Sequence, residues 1–165
     1  MNRLFLIIDA REEYPYLFQS FNEKPMIDRE LLNCGDYTIR GFETEFAIEY
    51  KTYYDLLNCL TQEFDRFEAQ IRRGKAYCKN FFVMVNGYKT QFDQELHKNQ
   101  ELLKRFNYLK YFVGMPIEFH QPDSIEKRMW DKIKTFFNAA EEAHKNGLLP
   151  KEFNRVFQWT QPARI

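Results

Sequence analysis

Leu4-Phe5-Leu6-Ile7-Ile8 and Phe81-Phe82-Val83-Met84-Val85 are continuous apolar runs, each too short for a helix and each closed by polar or turn residues, Asp9-Ala10-Arg11 and Asn86-Gly87. A short run that is apolar at every position reads as a strand buried on both faces, so the chain must cover a sheet from above and below. Between the two runs, Leu56, Leu60, Phe64, Phe67 and Ile71 form the stripe of an amphipathic helix that begins at Thr52. Leu102, Phe106, Leu109 and Val113 repeat the pattern, as do Ile125, Met129, Ile133, Phe137 and Ala140. The last of these helices opens with Pro122-Asp123 and Glu126, a cap residue with an acid three positions on, and stops at Asn146-Gly147. Residues 31–39 and 45–51 read as a hairpin or near-hairpin, and 115–120 as an edge or strand-entry segment because Pro116 stands near its start. Strands interspersed with long helices predict an α/β sandwich with a central mixed sheet.

At 165 residues with 44% hydrophobic content, the chain suits one compact domain. Lys+Arg and Asp+Glu both number 24, so no global field draws it to a polyanion, and nucleic-acid binding must rest on a local patch. Cys34, Cys59 and Cys78 are odd in number and lack CxxC spacing, which argues against a disulfide framework or zinc knuckle. His97, His120 and His144 show no metal-ligand spacing. The first apolar run is shorter than a signal-peptide core, and no stretch approaches membrane-spanning length. The expectation is an intracellular protein, cytoplasmic or DNA-associated, neither secreted nor bound to a membrane.

Chemistry is suggested by acids inside and beside apolar segments, where an ionised carboxylate is costly unless it is paired or binds a cation. Asp9 and Glu12 leave the first strand, Asp36 follows Gly35, and Glu49 sits within Phe-Ala-Ile-Glu-Tyr-Lys. Side chains alternate along a strand, so Glu49 and Lys51 share one face while Tyr50 takes the other. Two carboxylates beside an amine suit a hard cation such as Mg²⁺, which takes a couple of protein oxygens plus water and phosphate. Arg66, Arg72, Arg73, Lys75 and Lys79, late in the long helix and just after it, form a basic cluster suited to phosphate contact.

Ile8-Asp9-Ala10-Arg11-Glu12, Asn33-Cys34-Gly35-Asp36-Tyr37, Ile48-Glu49-Tyr50-Lys51-Thr52 with Asp55, and Arg66-Phe67-x-x-Gln70 occur in that order. The set resembles the nuclease domain of the XPF family, whose pattern is Gly-Asp-x(n)-Glu-Arg-Lys-x-x-x-Asp preceded by Asp-x-Arg-Glu. The resemblance implies a restriction-endonuclease-like three-layer sandwich and a Mg²⁺- or Mn²⁺-dependent DNA endonuclease acting on branched or flapped DNA in repair, recombination or replication. By the same resemblance Asp36 and Glu49 are the main metal ligands, Asp9 and Glu12 border the site with Asp9 a further ligand, and Lys51 serves the attacking water. Asp55 supports the site, and Arg11, Arg66 and Gln70 belong to its DNA-binding edge.

Tyr50 departs from the pattern, standing where the family has arginine. The alternative reading is therefore a catalytically weakened XPF-type subunit that binds DNA or a partner nuclease. Residues 1–147 are expected to form the nuclease domain and 148–165 a C-terminal extension, either a docking segment or a packed one. Residues 148–165 are too few for the paired helix-hairpin-helix modules of many relatives, so branch specificity is expected from the domain surface, a homodimer or a partner protein.

Overall fold

The computed structural model describes residues 3–158. Six strands form one sheet: β1 (Phe5–Asp9), β2 (Met26–Glu30), β3 (Tyr37–Ile39), β4 (Phe46–Thr52), β5 (Asn80–Asn86) and β6 (Ile117–His120). Their order across the sheet is β2-β1-β3-β4-β5-β6. Only β3 runs against the rest: it pairs antiparallel with β1 and β4, whereas β1–β2, β4–β5 and β5–β6 are parallel pairs. The sheet is therefore mixed, and the carboxyl ends of five strands gather along one rim.

Both faces are covered, as the apolar runs require. On one face lie α1 (Tyr53–Thr61), α2 (Phe64–Tyr77), α3 (Lys89–Lys98), α4 (Gln100–Asn107) and a π-helical turn at Tyr108–Val113. They pack on Ala47, Phe81, Val83 and Val85. The other face, with Leu6, Ile8, Phe46, Ile48 and Met84, is covered by α5 (Ile125–Lys145) and by α6 (Asn154–Gln158), which follows a 3-10 turn at Lys151–Phe153. This is a three-layer α/β sandwich of restriction-endonuclease type, as the resemblance implied.

Several elements differ from the sequence reading. Residues 31–36 are not a strand, and the strand beside β1 is Met26–Glu30, a polar edge segment whose side chains mostly face solvent. The helix expected from Thr52 is two helices broken at Gln62–Glu63. The stripe beginning at Leu102 passes from α4 into the π-helical turn, which ends at Gly114. Helix α5 starts after Ser124 rather than at Asp123, and Glu126 accepts the backbone N–H of Phe18 at 3.1 Å instead of closing a cap. That bond and the stacking of Phe18 on Trp130, ring centres 5.5 Å apart, anchor the segment that leaves β1 to the α5 layer.

The end of the described chain belongs to the same core. Phe153 stacks on Phe42 at 5.3 Å, and the buried Phe157 meets Phe42 and Phe137. Phe153 and Phe157 of the expected extension thus pack on the core, and its residues 159–165 lie outside the described residues.

On the opposite face, α2 approaches β5 at Gly74, where an added Cβ would stand 2.6–2.8 Å from three ring carbons of Phe81. Alanine favours a helix by about 1 kcal/mol over glycine, but overpacking a buried ring costs about 1–3 kcal/mol, and the ring is enclosed by its core cluster. Gly74→Ala is expected to destabilise the protein by up to about 2 kcal/mol net, read as a lower midpoint in urea unfolding at unchanged slope.

Candidate active site

The sheet's switch in strand direction builds the site. Because β3 is inserted antiparallel between β1 and β4, its amino end meets the carboxyl ends of its two neighbours. Asp36, just before β3, is thereby gripped from both sides: its carbonyl accepts the N–H of Asp9 at 2.8 Å, and its own N–H donates to Ile48 at 2.7 Å. Its carboxylate accepts the backbone N–H of Tyr50 at 2.7 Å. Gly35 makes this approach possible. Its φ is +71°, which L side chains rarely adopt, and a Cβ there would meet the Ile48 carbonyl oxygen at 3.0 Å and Ala47 Cβ at 3.1 Å. The Gly-Asp pair is thus a backbone requirement beside a chemical one.

The cleft above these strand ends has a volume of about 600 Å³. Asp9, Arg11, Glu12, Asp36, Glu49, Lys51, Arg66, Gln70 and Arg73 all line it. The structure therefore brings together nine of the thirteen residues singled out in the sequence. Asp55, Arg72, Lys75 and Lys79 are not among the lining residues. The Asp55 carboxylate closes a capping box with Thr52 at the start of α1, accepting from the Thr52 hydroxyl at 2.6 Å. Arg72 pairs with Glu68 at 2.9 Å and Tyr108 at 3.0 Å. The Lys75 ammonium donates to the Val113 carbonyl at 2.6 Å, so it is committed to holding the π-helical turn.

Glu49 is buried on the α2 side of β4, and its Oε1 accepts from Lys51 Nζ at 2.6 Å and Gln70 Nε2 at 2.7 Å. Burial alone would depress the Lys51 amine, but the charge of Glu49, with Asp36 behind it, holds it above the usual lysine range. Asp36 moves the opposite way to a paired acid: burial, then the nearby Glu49 carboxylate, push it well above the ordinary aspartate value. Tyr50 lies on the far face, where its hydroxyl accepts from Asn86 at 3.1 Å and its ring meets Tyr16 edge-on at 5.5 Å. Alternation thus keeps the residue that departs from the family pattern off the acidic face.

Asp9 is held differently. Its Oδ1 accepts from the backbone N–H and the Nε of Arg11, both at 2.8 Å, and its Oδ2 from Arg11 Nη2 at 2.7 Å and the Leu32 N–H at 2.8 Å. All four acceptor positions of the carboxylate are filled. Burial opposes ionisation, but the Arg11 and Leu32 hydrogen bonds outweigh it and hold Asp9 below the usual range. Sequence reasoning assigned no role to Leu32, Asn33, Cys34 or Glu63, which also line the cleft. Glu63 stands at the break between α1 and α2, a break that the unbroken apolar stripe hid. Burial, then Glu49, push the Cys34 thiol up to about 11, so it is no thiolate nucleophile at neutral pH.

The donor set suits a hard divalent cation. Asp36 and Glu49 supply oxygens only, and a bound cation would offset the repulsion by which the Glu49 carboxylate raises Asp36. Among the described residues no three Asp, Glu, His or Cys side chains converge to hold a metal. Two carboxylates is nonetheless the usual protein share for Mg²⁺ beside water and substrate phosphate.

An acidic, lysine-bearing cleft at a sheet switch point is an arrangement suited to phosphodiester chemistry. The family model of the ERCC4 domain matches residues 8–136, and the chain belongs to this family of nuclease domains. Among solved structures it is similar to XPF from Aeropyrum pernix, with a TM-score of 0.61 and 18% identity over 86% of this chain and 69% of that one. XPF from Aeropyrum pernix in complex with DNA gives a TM-score of 0.60 and 17% identity over 83% and 66%. The chain thus spans about two thirds of each. No curated protein sequence matches it. Among the described residues no helix is long and apolar enough to cross a membrane.

Proposed function

We propose that the protein is a Mg²⁺- or Mn²⁺-dependent DNA endonuclease acting on branched or flapped DNA. The observation that carries this reading is the Asp36–Glu49–Lys51 cluster in a cleft edged by Arg11, Arg66 and Arg73. Asp36 and Glu49 would hold the cation, which when bound polarises the scissile phosphate and makes water more acidic. Lys51 pairs with Glu49 at 2.6 Å and presents its ammonium where negative charge develops on the phosphate oxygens. Gln70 fixes the Glu49 carboxylate against α2, and Asp55 acts indirectly by capping the helix that follows Lys51. Arg11 is 68% exposed although paired with Asp9, so it can turn to a phosphate and thereby release an Asp9 oxygen to the cation. Glu12 borders the same floor, and Arg66 and Arg73 meet the DNA backbone from the α2 side.

Pure protein with labelled flap, splayed-arm and linear DNA is expected to cut in Mg²⁺ or Mn²⁺ and not in EDTA, at positions set by the DNA's structure. Lys51→Ala should lose that cutting while keeping its circular dichroism spectrum. Cutting at fixed sequences on linear duplex would point instead to a restriction-type enzyme.

The second reading is a catalytically weakened subunit that binds DNA or a partner nuclease. It is favoured by Tyr50, which places an uncharged phenol where the family has a guanidinium. Tight binding of branched DNA without cleavage, unchanged in Tyr50→Arg, would select it.

A further inference from the structure

The carboxyl rim of the sheet carries rings as well as acids. Three strands that end there are followed within five residues by an exposed tyrosine: Tyr14 after β1, Tyr54 after β4 and Tyr88 after β5. Tyr14 is 86% exposed, Tyr54 76% and Tyr88 48%. Folding gains little from rings left in water, and among the other described aromatics only Tyr77, Tyr111 and Phe112 are exposed. Two of the three sit on a firm base. The Tyr54 ring stands edge-on to the buried Tyr53 at 5.6 Å, and a Cβ on Gly87, beside Tyr88, would lie 3.1 Å from Tyr53. Tyr53 therefore wedges the Tyr54 and Tyr88 backbones together, and its own buried hydroxyl has no hydrogen-bond partner among the described residues.

Position relates these rings to the cleft. Tyr14 lies three residues beyond Arg11 and Tyr54 three beyond Lys51, both of which line it. Neighbouring strands are about 4.8 Å apart, so β1 to β5, three spacings across the order β1-β3-β4-β5, span about 15 Å of rim. Exposed rings along a rim that also carries cations are what single-stranded nucleic acid binds, because every base has a face to stack and none need be read. Duplex DNA offers no such faces along its length.

We infer that Tyr14, Tyr54 and Tyr88 form a stacking rail for the unpaired arm of a branched substrate, leading it away from the acidic cleft. The inference rests on the nuclease reading and makes these tyrosines determinants of specificity, apart from the hydrolytic groups. The rail selects substrates that carry a single-stranded arm and leaves affinity for plain duplex to the arginines.

The test is equilibrium binding in EDTA, where nothing is cut, of dye-labelled splayed-arm DNA and of linear duplex of equal length. Replacing all three tyrosines by alanine is expected to weaken splayed-arm binding at least about tenfold and duplex binding less than about twofold. Phenylalanine at all three positions should restore it. A 2-aminopurine in the unpaired arm should be quenched by the wild type and not by the alanine variant. Because the rings are exposed, the fold should survive, and the single variants Tyr54→Ala and Tyr14→Ala carry the same comparison. Equal weakening on both DNAs, or alanine variants that bind and quench like wild type, would overturn the rail. Failure of the wild type to bind either DNA would overturn the nuclease reading with it, whereas cleavage without ring dependence overturns the rail alone.

Discussion

Glu49→Gln is expected to slow DNA cleavage by about 10³-fold or more, measured as single-turnover rates in Mg²⁺ and in Mn²⁺. The amide keeps the size of the side chain and one acceptor oxygen, so the Gln70 contact can persist, but the negative charge is gone. Lys51, only 17% exposed, then loses its ion-pair partner. Its ammonium has Asp36 as the remaining nearby carboxylate and competes there with the cation. On the proposed cation site, one substitution thus removes a ligand and blocks another, so the effect should exceed loss of a single hydrogen bond. Circular dichroism and the urea midpoint should change far less than the rate. A Glu49→Gln protein cutting at the wild-type rate would refute the assigned site.

Asp36→Asn should do something that a structural residue would not: stabilise the cation-free protein while removing its activity. Burial and the Glu49 charge raise Asp36 above its unfolded-state value, so the folded protein binds a proton here more tightly than the unfolded chain does. A group of this sign favours folding in acid, and that contribution is lost as pH rises from the unfolded value, about 3.9, through the raised one. Asparagine can still accept from the Tyr50 N–H but carries no charge to desolvate. In EDTA at neutral pH the variant should be more stable than wild type, read as a higher Tm, and the gain should disappear toward pH 4. Wild-type protein should recover the difference on adding Mn²⁺, and the variant should respond little. A variant less stable than wild type in EDTA would mean that the Asp36 carboxylate serves the fold by its charge.

The residues explain what the sequence disclosed. The strands at Phe5–Asp9 and Asn80–Asn86 were legible because burial on two faces leaves an uninterrupted apolar run. Glu49 and Lys51 were legible as a pair because strand alternation is strict, and the same rule set Tyr50 on the other face. Met26–Glu30 was hidden because an edge strand with a solvated face shows no apolar period, and Lys89–Lys98 because it buries only Phe92 and Leu96. The break at Gln62–Glu63 was invisible since the apolar stripe runs straight through it. Within the site, residue types could be read, but not their commitments. That Asp9 spends all its acceptors on Arg11 and Leu32, and Lys75 its ammonium on Val113, depends on contacts made across the fold.

The main-chain grip on Asp36 also bears on how the cleft moves. The amides of Asp9, Asp36 and Tyr50 are locked into bonds that join three neighbouring strands, so the acidic floor cannot open without breaking the sheet itself. Those amides should exchange with solvent only as fast as the whole domain unfolds. The α2 wall is tied to that floor by the side-chain bond from Gln70 to Glu49 and is held on the sheet by Gly74 against Phe81 and by the buried Phe67 and Ile71. The acidic groups therefore stay in register with one another and with the α2 wall, as parts of one fixed bed.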